Sequence, residues 1–400
     1  MSAAHKQHTV FISSLEHSAE MHCANLIGAL NEKLADATVW PGADHVPVEA
    51  AQPKIRFSGF GGQRLAQAGC ELLDDTVSKA AMHYNVLGQL GYYKKLIKRA
   101  NRFFEQNTVD LVIVCDSPAF NFHIAKAAKK HGIPVLFYVA PQLWAWAPWR
   151  IKKLKRCCDK LACILPFEKE WFAKRGVNAE FVSNPLFDEM DIDLKANFKS
   201  YSNYNMQAPK IALLPGSRTA EIDSLWPAML EIAADLKDKH PDAVFIACAP
   251  DDDKKALLQE IATDAPFDIA YETNKLIHVC MQADYALVAS GSATLQVAAA
   301  GCPMTVMYQS SRLMWHLLGK RLVRLPHLSL VNILAGKELV PEFMPYFTTL
   351  DPIIHRTHGM LCTSARMSQI SQSLLALIEP LTHRRASDAV ADIVIKMLAA

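Results

Sequence analysis

Four short segments carry residue types suited to handling a phosphate, a hydroxyl proton or a lipid surface. In the first, IALLPGSRTAEI (Ile211–Ile222), an apolar run stops at Pro215, Gly216 and Ser217 turn the chain, and Arg218 follows. A tight turn at a helix start presents backbone N–H groups that hold anions, and a guanidinium adds a planar donor fork. Glu221 is placed to hold Arg218 or to cap the helix. The second segment is VASGSATLQVAAAG (Val288–Gly301). Here a strand gives way at Ser290, Gly291 and Ser292 to a helix of small residues running through Ala293, Thr294 and Gln296. Either turn alone is compatible with plain strand-to-helix packing or a surface arginine. Two of them in one half of the chain point to a nucleotide diphosphate.

The third segment, VIVCDSPAFN (Val112–Asn121), delivers Asp116 to the end of a buried strand. A carboxylate there either takes a proton from an incoming hydroxyl or caps the next helix. Asn121 caps the same helix or touches ligand. The fourth, YVAPQLWAWAPWRIKKLKR (Tyr138–Arg156), sets Trp144, Trp146 and Trp149 beside Arg150, Lys152, Lys153, Lys155 and Arg156. That mixture suits a membrane surface or a lipid phosphate, or else a partly buried aromatic cluster beside a solvated helix face. Other phosphate-binding patterns are missing. There is no G-x-x-x-x-G-K-[ST], and GFGGQR lacks the third glycine of a dinucleotide fingerprint.

These segments sit in a regular alternation of strands and helices. TVFISS, KIRFSGFGG, VDLVIVCD, IPVLFYVA and KLACILP read as strands of a first half, with helices SAEMHCANLIGALNEKL, YYKKLIKRANRFFEQN and FNFHIAKAAKKHG between them. The irregular polar stretch from about Asp188 to Lys210 reads as a linker. A second series follows with IALLP, AVFIACAP, FDIAYE, YALVAS and MTVMY as strands, and the chain turns helical again from about Gln369. The fold class is therefore α/β, with two Rossmann-like domains facing a cleft. The expected division is 1–187, 188–375, and a C-terminal helix, 376–400, packing back on the first domain.

Bulk numbers fit this reading. A chain of 400 residues suits two or three domains, and 51% hydrophobic with 20% charged residues is a globular composition. A net charge of +2 gives no global drive toward nucleic acid, so none is expected as a partner. The ten cysteines form no C-x-x-C pair, which argues for buried reduced thiols rather than a zinc or redox site. MSAAHKQHTVFISS does not read as a signal peptide. The uncharged run Ala286–Ser311 is long enough to span a bilayer, but its Ser, Gly, Thr, Gln and Pro content favours a buried strand-helix-strand.

DSPAFN, YVAPQLWAW, RCCDKLACILPFEKEWF, LLPGSR, ASGSATL and LSLVNILAGKELVPEF, in this order, resemble the lipid-A-disaccharide synthase family from about Ile12 to Phe343. The resemblance implies the two-domain GT-B glycosyltransferase fold. It implies inverting transfer of a diacylated glucosamine from UDP to the 6-hydroxyl of diacylglucosamine 1-phosphate, at the cytoplasmic face of the inner membrane. No cofactor or metal is implied. The UDP-sugar donor, the acylated glucosamine phosphate acceptor and the membrane surface are the implied partners, and a homodimer is a further expectation. On this basis Asp116 is the catalytic base, with Glu16 a second catalytic candidate. Ser18, Asn121, Gln142, Trp144, Asn332 and Glu338 are carried over as substrate contacts. Gly216, Ser217, Arg218, Glu221, Ser290, Gly291, Ser292, Ala293, Thr294 and Gln296 form the UDP site.

The chain departs from the family pattern in places. Gly-Glu-x-Ser-Gly-Asp appears as LEHSAE, with Leu15, Ala19 and Glu20 replacing the glycines and the aspartate. Gly-His-Pro-Leu becomes Ser183-Asn184-Pro185-Leu186, Pro-Asn becomes Val331-Asn332, a glutamine becomes Pro345, and a ribose-binding acid becomes Gln296. The last change removes a charge-assisted bond worth about 1–2 kcal/mol. A divergent member is expected, with a related acyl-sugar transfer or a non-catalytic binding role as alternatives.

Overall fold

The computed structural model describes residues 7–35, 55–82, 86–312, 315–319 and 325–400. The signal-peptide reading rests partly on residues 1–6, which lie outside the described residues. The chain divides into two compact units. The first comprises Met1–Met190 with Leu381–Ala400, and the second Asp191–Pro380.

The first unit holds a seven-stranded parallel sheet. Its strands are β1 (His8–Ser13), β2 (Ile55–Gly61), β3 (Cys70–Asp75), β4 (Leu111–Val114), β5 (Val135–Tyr138), β6 (Lys160–Cys163) and β7 (Ala179–Phe181). Their spatial order is β3-β2-β1-β4-β5-β6-β7. The central strands are apolar without alternation because helices cover both faces: every residue of LVIV in β4 is buried. Each such side chain contributes about 1.5–3 kcal/mol on removal from water. On one face, Leu26, Ile27 and Leu30 of the His17–Ala35 helix share a core with Val390, Ile393 and Val394 of the Ala386–Ala399 helix. Asp188 accepts hydrogen bonds from the backbone N–H groups of Ala386 (2.6 Å) and Ser387 (2.8 Å), fixing where that last helix begins.

The second unit repeats the plan with six parallel strands. They are β8 (Lys210–Leu214), β9 (Val244–Ala249), β10 (Ile269–Thr273), β11 (Tyr285–Ala289), β12 (Met304–Met307) and β13 (Glu342–Phe343), ordered β10-β9-β8-β11-β12-β13. The uncharged run Ala286–Ser311 resolves into β11, the Ala293–Ala299 helix and β12. Among the described residues, no helix is long and apolar enough to cross a membrane.

Each sheet reverses its strand order once, between β1 and β4 in the first and between β8 and β11 in the second. At such a reversal the helices leave toward opposite faces, which opens a crevice beyond the strand ends. Glu16 and Asp116 follow β1 and β4, while Gly216 and Ser290 follow β8 and β11. Three of the four segments singled out by chemistry therefore stand at the two switch points, and the fourth, Tyr138–Arg156, follows β5.

Candidate active site

Asp116 and Ser117 both adopt left-handed backbone, with φ of 50° and 40°. Each costs about 1–3 kcal/mol for a residue with a Cβ, so the surroundings must hold them. Asn121 supplies much of that hold. It lies in the first turn of the Pro118–Lys130 helix and is fully buried. Its Oδ1 accepts from the Ser13 hydroxyl (2.7 Å), and its Nδ2 donates to the carbonyls of Cys115 (2.9 Å) and Asp116 (2.8 Å). One amide thus ties the end of β1 to the end of β4. Asn121 therefore holds the Asp116 backbone rather than capping the helix, which revises the cap role read from sequence.

The helix that follows Asp116 is capped at Ser117 without a side-chain bond, so the Asp116 carboxylate is not engaged as its cap. The Ser117 hydroxyl instead donates to Glu16 Oε1 at 2.7 Å. Burial pushes the Asp116 carboxyl above its ordinary value, the Glu16 charge adds to the rise, and the Ser117 N–H opposes it. Ser18 is exposed in the next turn. Leu15 and Ala19 are buried where the family carries glycines, and the Glu20 carboxylate accepts from Leu65 N–H at 3.0 Å. The altered motif therefore contributes core and a cap to the Gln63–Gln67 helix.

In the second unit a cavity of about 350 Å³ opens beyond β8 and β11. Its walls include Gly216, Ser217, Arg218, Glu221, Ser290, Gly291, Ser292, Ala293 and Gln296. Gly216 has φ of +110°, and a Cβ there would lie 2.5 Å from Glu221 Oε2, so only glycine fits. Glu221 both caps and pairs: Oε2 accepts from the N–H groups of Ser217 (3.1 Å) and Arg218 (3.3 Å), and Oε1 lies 3.2 Å from Arg218 Nη1. A carboxylate already occupies the anion-holding amides of this turn. Arg218 keeps a side chain 78% exposed and reorientable. At the second turn the Ser290 N–H is engaged by Met307 O, and Thr294, fully buried, bonds back to Gly291 O through its hydroxyl. Gly291, Ser292 and Ala293 carry the amides that a helix start leaves without intrahelical acceptors.

The cavity also has walls that sequence reasoning missed: Cys248, Ala249 and Pro250 after β9, and Asn274 and Leu276 after β10. The signal was present in the strand ends ACAPDDD and YETNK, which lack the glycine-serine turn that drew attention elsewhere. Asn332 does not line this cavity. It is buried, donates to Val340 O (2.9 Å) and Glu342 Oε2 (2.9 Å), and accepts from the N–H groups of Leu339 (2.8 Å) and Val340 (3.1 Å), shaping the loop before β13. Glu338 in that loop pairs with Arg356 at the surface.

The tryptophan segment belongs to the first unit. Trp144 is buried and donates to Glu168 Oε1 at 2.8 Å, while Trp146 and Trp149 remain 37% and 58% exposed. Glu168 is itself buried, and desolvation raises its pKa to about 7 against the pull of Trp144 and the Leu165 and Ile164 amides. Gln142 is exposed just before this turn. Lys152, Lys153, Lys155 and Arg156 are exposed along the Ile151–Cys157 helix, and Arg150 stacks over Trp146 at 4.7 Å. The other amphipathic helix is Val86–Gln106. Leu96, Ala100 and Phe104 of its apolar stripe are buried in the protein, with Phe104 on Phe11 at 4.9 Å. That part of the stripe faces the protein, while Leu90 nearer the helix start is exposed.

Two doubly wound units, one with an acid pair at its switch point and one with an anion-friendly cavity at its own, define a GT-B fold. Solved structures agree at the level of fold. The chain is similar to a UDP-N-acetylglucosamine 2-epimerase of Neisseria meningitidis solved with UDP-GlcNAc bound (TM-score 0.55, 13% identity, covering 98% of this chain and 99% of that one). It is also similar to the calicheamicin glycosyltransferase CalG4 (TM-score 0.55, 14% identity, 98% of each chain). A family profile described as lipid-A-disaccharide synthetase matches residues 10–393. Lipid-A-disaccharide synthases of Geobacter sulfurreducens and Myxococcus xanthus are each 30% identical, over 98% and 97% of this chain and 97% of theirs. The chain belongs to the lipid-A-disaccharide synthase family and is a glycosyltransferase of lipid A synthesis.

Proposed function

We propose that the chain moves a 2,3-diacylated glucosamine from UDP to the 6-hydroxyl of a 2,3-diacylglucosamine 1-phosphate, with inversion at the anomeric carbon. The observation that carries this is the Asp116 carboxylate, held in strained backbone at the β4 end beside Glu16, with its ionised form disfavoured. A carboxylate so placed has raised basicity. It takes the acceptor hydroxyl proton as that oxygen attacks the anomeric carbon. The bond from that carbon to the diphosphate oxygen breaks, and UDP departs with the electron pair. Arg218 and the amides of Gly291–Ala293 receive the developing charge. Glu221 holds the first turn open in the absence of nucleotide, and donor binding draws Arg218 from Glu221 to phosphate. Gln296 faces the ribose as a neutral hydrogen-bonding group.

Exposed Trp146 and Trp149 with the basic Ile151–Cys157 helix support peripheral attachment to an anionic leaflet, where both acylated substrates reside. The deciding experiment incubates the protein with UDP-diacylglucosamine and diacylglucosamine 1-phosphate and measures product mass. A tetra-acylated disaccharide monophosphate and one UDP per turnover are expected. Epimerised donor, or no UDP release above background, would overturn the reading.

A further inference from the structure

Three potential metal ligands from distant parts of the second unit meet away from the proposed donor cavity. His240, His358 and Cys362 each offer a ligand atom, and these atoms all lie within 4.8 Å of one another. None of the three lines the cavity beyond β8 and β11. This cluster needs no C-x-x-C pair, because it takes one cysteine and two histidines.

The local geometry is that of a ligand set prepared in advance. His240 is buried, and its Nδ1 lies 2.6 Å from the Met206 carbonyl oxygen. A carbonyl only accepts, so Nδ1 carries the proton and Nε2 presents a lone pair in the neutral ring. A backbone carbonyl fixing the far nitrogen is the arrangement that orients metal-binding histidines. His240 Nε2 stands 3.0 Å from His358 Nδ1, and Cys362 Sγ stands 3.8 Å from that same nitrogen. A tetrahedral zinc with Zn–N of about 2.0–2.1 Å and Zn–S of about 2.3 Å separates two nitrogens by ~3.3 Å and a nitrogen from a sulfur by ~3.6 Å. These two separations need adjustments of a few tenths of an ångström, and the third, between His240 and Cys362, lies within 4.8 Å. His358 and Cys362 are four apart, so one helical turn brings both to the same side.

The electrostatics are mixed but favour a cation. His240 caps the C-terminal end of the Thr219–Lys239 helix, and Cys362 caps that of the Asp351–Leu361 helix. Two helix C-termini direct partial negative charge at the cluster. Lys239, His355 and Asp235 also act on His358, and Lys239 is paired with Asp235. The Tyr204 hydroxyl is buried without a hydrogen-bond partner among the described residues, and burial, then Asp284 and then Cys362, raise its pKa above the ordinary value. An anionic sulfur or a metal-bound water would give it an acceptor. Cys362 is exposed, which leaves a route in and room for a fourth ligand from solvent.

The geometry points to a binding site for a zinc-class divalent ion, held by His240 Nε2, a ring nitrogen of His358 and the Cys362 thiolate. Binding releases the thiol proton and, where His358 ligates through Nδ1, moves that ring's proton to Nε2. The ion joins the ends of two helices and acts as a staple within the second unit.

The test uses the untagged full chain, stripped with chelator. Cobalt(II) is added alone, followed by zinc(II) in competition. One equivalent of cobalt with a near-ultraviolet thiolate-to-cobalt charge-transfer band is expected, lost in Cys362→Ser and displaced by zinc. Zinc affinity is expected to fall by at least the roughly 10–100-fold that changes to outer-shell partners cost, in both Cys362→Ser and His358→Ala. Zinc should raise the melting temperature of the wild type but not of either variant. Melting of the metal-free variants checks that they fold. No charge-transfer band in the wild type, or equal zinc affinity in the wild type and Cys362→Ser, would overturn the site and leave a histidine pair joined by a hydrogen bond.

Discussion

Replacing Asn121 with alanine tests whether the acid at the β4 end is positioned or merely present. The Asn121 side chain is fully buried and serves three partners at 2.7, 2.8 and 2.9 Å. Truncation leaves the Ser13 hydroxyl and the carbonyls of Cys115 and Asp116 without it. Each orphaned buried group costs about 1–3 kcal/mol, and water entering beside partly exposed Asp116 recovers a share, so a loss of roughly 2–4 kcal/mol is expected. At about 2–4 °C per kcal/mol for domains of this size, the melting temperature should fall by roughly 5–15 °C. Freed from the clamp, Asp116 and Ser117 relax from left-handed backbone, and the carboxylate moves. A shift near 1 Å costs on the order of a hundredfold in kcat. UDP affinity, set in the other unit, should stay within about twofold. Calorimetric melting, UDP release below the melting range, and titration with UDP read these three quantities separately. Wild-type kcat in Asn121→Ala would refute the positioning argument, and an unchanged melting temperature would refute the bond accounting.

Asp116→Asn should lower kcat by about 10²–10⁴-fold with UDP affinity intact. It should not destabilise: a carboxyl whose folded pKa is raised weakens the fold once pH passes its unfolded value, and a neutral amide removes that effect. A large drop in melting temperature would contradict this. The acid limb of kcat/KM should lie above the ordinary carboxylate range, because the base works only when ionised, and Glu16→Gln should move it to lower pH; an unmoved limb would mean the Glu16 charge is not felt. Arg218→Ala should weaken UDP binding by about 1–2 kcal/mol, or roughly 5–30-fold, as measured by calorimetry. Replacing Lys152 and Arg156 together by serine should weaken binding to anionic vesicles roughly 30-fold at low salt, at about 1 kcal/mol per charge, and co-sedimentation that does not change would sink the basic-helix reading.

The turns proposed to carry chemistry are legible because strand, glycine-serine bend and charged residue are contiguous in the chain. LLPGSR and VASGSAT announce a strand end and a helix start within seven residues, and both fall at the β8/β11 reversal. What a side chain does once placed was less legible. Asn121 read as a cap or ligand contact, yet its partners include Ser13, more than a hundred positions away. The apolar stripe of the Val86–Gln106 helix looked the same in sequence whether it faced lipid or Phe11; only the sheet decides. Cys248 and Asn274 join the cavity through the order of strands, and His240 meets His358 through helix packing. Such pairings follow from the tertiary fold and leave no local pattern.

The Ala386–Ala399 helix completes the core begun by the His17–Ala35 helix, yet the whole second unit lies between them in the chain. On the ribosome, the opening two hundred or so residues therefore emerge without the element that covers Leu26, Ile27 and Leu30. The earlier-made unit must wait, partly open and apolar on that face, while the later-made one has all its strands and finishes first. Nonsense mutations that remove only the last fifteen or so codons should accordingly yield chains captured by chaperones through their N-terminal half, although every proposed catalytic and nucleotide-binding residue has been translated.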